Sequence, residues 1–194
     1  MALLKLLEWV AVLLNIAFTI GIAYEKRWAW LPGFVASCIG VGLYFLQHTW
    51  ALCVLNIYYV VMAVYGWWSW GRPGPLLPIQ RKPLYFHLTL VLFLAAGTWL
   101  LAWLLRERFE GTLPELDAFI TMVSFAATWM MARKLLENWL YWVVGDTVSV
   151  YLNWKLGYDG YAILNAIYIV LSIAGLVKWW RRTNPGQRSG ISNS

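Results

Sequence analysis

The sequence predicts an all-α integral membrane protein: seven transmembrane helices, built as two parallel three-helix repeats joined by a linker helix. Three observations lead there. Of the 194 residues, 61% are hydrophobic and only 12% charged, whereas about a quarter are charged in soluble domains. Seven apolar runs each approach the roughly 20 residues a helix needs to cross the hydrocarbon core. A shift of 109 residues overlays the third run on the seventh, so that Leu55, Asn56, Tyr59, Val61, Gly66, Trp70 and Arg72 meet Leu164, Asn165, Tyr168, Val170, Gly175, Trp179 and Arg181.

Taken in order, the first run, Leu6–Tyr24, carries Glu8, Asn15 and Thr19 on one face and lacks a small-residue cleavage site. It reads as a retained span rather than a signal peptide. The second is Trp30–Leu46. The third, Ala51–Trp70, places Asn56, Tyr59, Ala63 and Gly66 on one stripe. The segment Gly71–Tyr85, with four prolines and three basic residues, leads to the linker helix, Phe86–Leu105, and an acidic loop, Arg106–Glu115, follows. The fifth, Leu116–Ala132, is marked by Thr121, Ser124 and Thr128; the sixth is Leu136–Trp154. The seventh, Tyr161–Trp180, repeats the third's stripe as Asn165, Tyr168, Ser172 and Gly175. One transmembrane domain results, with residues 1–70 as the first repeat, 71–115 as loop and linker, and 116–182 as the second repeat. The polar tail, 183–194, is expected to be disordered in the cytoplasm.

Charge placement orients the chain. Lys5, Arg106, Arg108 and Lys155 fall on one side, and the other eleven of the 15 basic residues on the opposite side. The positive-inside rule then puts the N-terminus outside and the C-terminus in the cytoplasm. That distribution, between spans rather than on one domain, also accounts for the net charge of +6 without nucleic acid.

The sixth run holds the chemistry. Trp139, Trp142 and Asp146 follow i, i+3, i+7, and Ser149 and Asn153 continue the face. A carboxylate at mid-membrane costs roughly 2.5–3.5 kcal/mol on insertion scales, which makes Asp146 a functional candidate. Two indoles and a carboxylate suit a flat cationic ligand. Polar stripes on several helices should converge on one interior, because lipid offers them no partner. The candidate substrate residues are Trp139, Trp142, Asp146, Ser149, Asn56, Tyr59, Asn165 and Tyr168.

Other readings stand beside these. Asn56 and Asn165 suit either ligand contact or a symmetric clamp between the repeats. Trp139 could belong to the interfacial tryptophan belt with Trp28, Trp50, Trp70, Trp154 and Trp180. Glu137 is placed to pair with Arg133 or Lys134 at the helix edge, and Ser and Thr in spans commonly bond back to their own helix. Cys38 and Cys53 fall in separate runs, and His48 and His87 have no second ligand, so neither a metal nor a cofactor is expected. No Walker A loop, GxSxG or HExxH is present, and the isolated Asp117 and Asp159 do not suit an intramembrane enzyme acting on lipid. A structural subunit would want more loop surface than this chain has.

Tyr65-Gly66-Trp67 closing the third run, Arg133-Lys134 followed by Glu137-Asn138-Trp139 and Trp142, and the seven-span plan together resemble the PnuC family of bacterial vitamin transporters, which shares its architecture with the SWEET sugar transporters. The likeness covers nearly the whole chain. It implies facilitated diffusion of a small vitamin across the cell inner membrane, trapped by a cytoplasmic kinase, with no catalytic residue in this chain. The lipid-facing surfaces leave room for a homo-oligomer. Members carrying nicotinamide riboside have Asn at the position of Asp146, Gln at Asn56 and Asn at Ala63. Those departures point to thiamine, a cation with fewer hydroxyls, with nicotinamide riboside as the alternative.

Overall fold

A computed structural model describes residues 2–46, 50–73, 77–109 and 113–183. His48 and the tail from residue 184 onward, where disorder is expected, lie outside the described residues. The described chain is helical throughout: α1 (Ala2–Ala23), a short 3-10 turn (Arg27–Ala29), α2 (Trp30–Leu46), α3 (Trp50–Trp70), α4 (Leu84–Phe109), α5 (Pro114–Ala132), α6 (Asn138–Lys155) and α7 (Asp159–Thr183). Five of these helices, α1 to α4 and α7, are long and apolar enough to cross a membrane by length and composition. The two more polar ones, α5 and α6, keep their polar groups inside the bundle: Ser124 and Thr128 of α5, and Asn138, Asp146 and Ser149 of α6, are buried. A helix shielded by protein on several sides can carry side chains that lipid would not accept.

Neighbouring helices pack in sequence, α1 on α2 on α3 and α5 on α6 on α7, while α4 lies against α5. Two seams join these groups, α3 with α5 and α1 with α7. Positions 109 apart make matching contacts. Trp30 lies over Gly66 and Trp139 over Gly175; a Cβ on Gly175 would sit 2.6 Å from the Trp139 ring, and one on Gly66 would come closer still to Trp30. Trp30 meets Trp70 edge-on at 5.5 Å, and Trp139 meets Trp179 at 5.4 Å. Each such aromatic pair contributes about 0.5–1.5 kcal/mol beyond its area, and glycine is what lets the indoles approach the opposing helix so closely.

The turns after α1 and α5 also match. Glu25 (φ 55°) and Lys134 (φ 52°) both adopt the left-handed conformation. Glu25 N–H donates to Ile22 C=O at 2.8 Å, and Lys134 N–H to Met131 C=O at 2.9 Å.

Two expectations from the sequence are corrected here. Glu137 does not pair with Arg133 or Lys134; its Oε1 accepts from the Lys82 backbone N–H at 3.2 Å, and Lys134 reaches Glu25 instead. Trp70 does not belong to an interfacial belt, because it is buried in the core and donates through Nε1 to Ala132 C=O at 3.1 Å. The segment before α4 is held against the second half of the chain. Gln80 N–H donates to Lys134 C=O at 2.9 Å, and Leu136 N–H donates to Gln80 C=O at 2.8 Å, which ties it to the turn between α5 and α6.

Candidate substrate site

Asp146 sits midway along α6, 7% exposed. Burial is the one influence acting on its carboxylate, and no hydrogen bond or ion pair reaches it among the described residues. Tyr59, halfway along α3, and Tyr168 of α7 both lie within electrostatic reach of it. These two tyrosines are 109 positions apart, so the side chains within its electrostatic reach hold equivalent positions on α3 and α7. Tyr59 has Ser124 of α5 as a hydrogen-bond partner. The result is a mid-membrane cluster of one carboxylate and two phenols, fed by α3, α5, α6 and α7.

The other polar groups on these faces are satisfied locally. Ser149 Oγ donates to Gly145 C=O at 2.9 Å, and Asn153 Nδ2 to Ser149 C=O at 2.8 Å. Asn56 Nδ2 donates to Leu52 C=O and Asn165 Nδ2 to Tyr161 C=O, both at 2.8 Å. Each amide therefore bonds within its own helix rather than clamping one repeat to the other, and the Asn56 Oδ1 lies against Gly40 of α2. Ser37, the counterpart of Asp146, donates to Gly33 C=O at 2.8 Å. The Asp146 carboxylate, by contrast, accepts no such bond from its own helix.

The two tryptophans of α6 diverge. Trp142, one turn from Asp146, is half-buried, and its Nε1 is enclosed without a partner. Trp139 is 0% exposed, filling the notch at Gly175 with its edge on Trp179. In this conformation it presents no surface to a solute or to lipid.

A larger opening lies elsewhere. A groove of about 630 Å³ between α4, α5 and α6 is lined by Leu94, Thr98, Trp103, Phe119 and Val144 among others, and none of the eight candidate residues borders it. Its walls are largely apolar, which suits hydrocarbon better than a charged solute.

A family profile described as "Nicotinamide mononucleotide transporter" matches residues 5–181. The chain belongs to this transporter family. It is similar to the riboflavin/roseoflavin transporter RibM of Streptomyces davaonensis, 25% identical over 177 residues, covering 88% of this chain and 83% of that one. It is also similar to the nicotinamide riboside transporter PnuC of Escherichia coli (strain K12), 23% identical over 201 residues with the same coverage. The crystal structure of the vitamin B3 transporter PnuC superposes with a TM-score of 0.76 at 19% identity, over 93% of this chain and 83% of that one. That likeness establishes the all-helical fold, and the family match makes the chain a membrane transporter rather than an enzyme.

Within this transporter, two of the residues that carry the family resemblance are packing residues. Gly66 of Tyr65-Gly66-Trp67 receives Trp30. Asn138 of Glu137-Asn138-Trp139 is fully buried and donates to Leu135 C=O at 2.6 Å. One polar neighbour and one pairing escaped the sequence reading. Tyr44 of α2 acts electrostatically on both Tyr59 and Tyr168; its place seven residues after Ser37, on the same helical face, was the available signal. Glu8 accepts a hydrogen bond from Tyr161 across the α1–α7 seam, a pairing that no spacing within one helix reveals.

Proposed function

We propose that this chain is a facilitative importer of a small, positively charged aromatic vitamin, with nicotinamide riboside as its foremost substrate. The observation that carries the reading is Asp146, a buried carboxylate with no protein partner among the described residues and with Tyr59 and Tyr168 within electrostatic reach. An ionised carboxylate in a low-dielectric interior calls for a counter-charge. A pyridinium supplies it, the tyrosines and Asn56 and Asn165 offer hydrogen bonds to ribose hydroxyls, and Trp142 offers an indole face.

Two considerations move nicotinamide riboside ahead of thiamine. The similar transporters carry nicotinamide riboside and riboflavin by name. Ala63, whose missing amide pointed to a solute without ribose, is 4% exposed in an apolar cluster with Trp30 and Met62. Its identity therefore says little about the solute.

In this proposal residues 1–70 and 116–182 are the two repeats, moving against each other around a central site. The N-terminus is outside the inner membrane, and a cytoplasmic kinase consumes the delivered vitamin. The test is reconstitution in liposomes, following labelled nicotinamide riboside, thiamine and riboflavin with and without ion gradients. Saturable, gradient-independent riboside uptake is the expected result. Preference for thiamine would reverse the substrate order, preference for riboflavin would remove Asp146 from the recognition of charge, and movement of none would overturn the reading.

A further inference from the structure

The end of the bundle where α1, α3, α5 and α7 finish is closed by two layers. The outer layer is ionic. Lys134 Nζ donates to Glu25 Oε2 at 2.9 Å, and Arg182 of α7 donates to Glu25 Oε1. The Lys134 and Glu25 side chains are 7% and 14% exposed. The inner layer is aromatic. Trp30, Trp70, Trp179 and Trp139 follow one another at ring separations of 5.5, 6.4 and 5.4 Å. Lys134 joins the layers, its ammonium lying 4.7 Å from the Trp70 ring centroid.

Glu25 and Lys134 stand 109 positions apart, in the same left-handed turn of each repeat. They are equivalent positions carrying opposite charges, and they bond to each other. A pair formed by equivalent positions spans the boundary between the repeats, so the repeats cannot part at this end without separating it.

We propose that Glu25 and Lys134 form the gate at this end of the transport path, with Arg182 as an accessory latch and the four indoles as the seal beneath. This rests on the alternating movement of the two repeats proposed above. An ion pair suits the task because its net energy is small. Held closed, the charges pair at little net gain after desolvation; parted, both regain water at the bundle end. The pair therefore sets which state is preferred without making opening prohibitive, and an apolar contact of the same area would lack that compensation. Glu25 is the shared partner, so its loss frees both cations.

The test reads access to the central site and needs no solute. In the full-length chain with Cys38→Ala and Cys53→Ala, Asp146→Cys serves as a reporter, labelled by a membrane-impermeant maleimide added to either side of sealed vesicles. Glu25→Gln and Lys134→Gln should each raise labelling several-fold from the side bearing residues 25 and 134. Arg182→Gln should raise it less, because that side chain is 53% exposed. Lys134→Arg, which keeps the charge, should label at the parent rate, which separates gating from a general loosening of the fold. Unchanged labelling in Glu25→Gln, or equal acceleration in Lys134→Arg and Lys134→Gln, would overturn the gate. Failure of the unaltered chain to move any vitamin would count against the transport reading alone, since labelling requires none.

Discussion

The two repeats agree where they pack and differ where they carry chemistry. Trp30 on Gly66 and Trp139 on Gly175 are near copies, as are the left-handed turns at Glu25 and Lys134. At mid-depth the match breaks. Ser37 in one repeat satisfies itself on Gly33 C=O, whereas Asp146 in the other has no partner among the described residues. The seams differ as well: Tyr58 donates to Phe125 C=O at 2.7 Å between α3 and α5, but the counterparts in the α1–α7 seam are Ile167 and Ile16, which cannot form such a bond. Symmetry here belongs to the scaffold, and the proposed recognition of charge rests on the departure at Asp146. A carrier with its carboxylate in one repeat only should hold an asymmetric cation in one orientation.

Four sets of substitutions sharpen or break that comparison. The largest effect is expected from Asp146→Asn, which should weaken riboside binding by about 2–5 kcal/mol, the usual cost of removing one partner of a buried charge pair. Glu137→Gln should change it far less, because that carboxylate contacts the Lys82 backbone at the helix start. Tryptophan quenching titrations on both variants measure the gap, and equal losses would put the site elsewhere. Next, Gly66→Ala and Gly175→Ala should each lower stability by about 1–3 kcal/mol through overpacking against an indole. The thermal midpoints in detergent should fall together, and a large inequality would show that the two notches are not equivalent in energy.

A smaller effect is expected from Trp142→Leu, which should weaken binding of a cationic vitamin by about 0.5–2 kcal/mol while leaving riboflavin binding less affected. Equal losses for charged and neutral ligands would reduce Trp142 to a packing role. Smallest is Tyr58→Phe, worth about 0.6 kcal/mol by analogy with interhelical hydrogen bonds in membranes. Its thermal midpoint should drop slightly, while Ile167→Val in the opposite seam leaves the hydrogen bonding unchanged.

Much of this molecule is determined by the sequence alone. The expected second span, Trp30–Leu46, coincides with α2, and the sixth, expected at Leu136–Trp154, is observed at Asn138–Lys155. Hydrophobic length against bilayer thickness decides such boundaries, and helical periodicity decides which residues share a face, as with Asp146 and Trp142. The 109-residue shift likewise foretold that Trp30 and Trp139 would occupy comparable places.

Partners on different helices were decided only by the tertiary structure. Local spacing assigned Glu137 to Arg133 or Lys134, yet Lys134 turns to Glu25, because the left-handed turns bring those two ends together across the repeats. Trp70 and Trp139 were expected at an interface or in the site, and only the packing of the glycine notches and neighbouring indoles draws them fully inside. That Asp146 lacks a partner is likewise a property of the assembled bundle. Periodicity shows which way a side chain points from its own axis; what it meets there depends on which helices pack beside it.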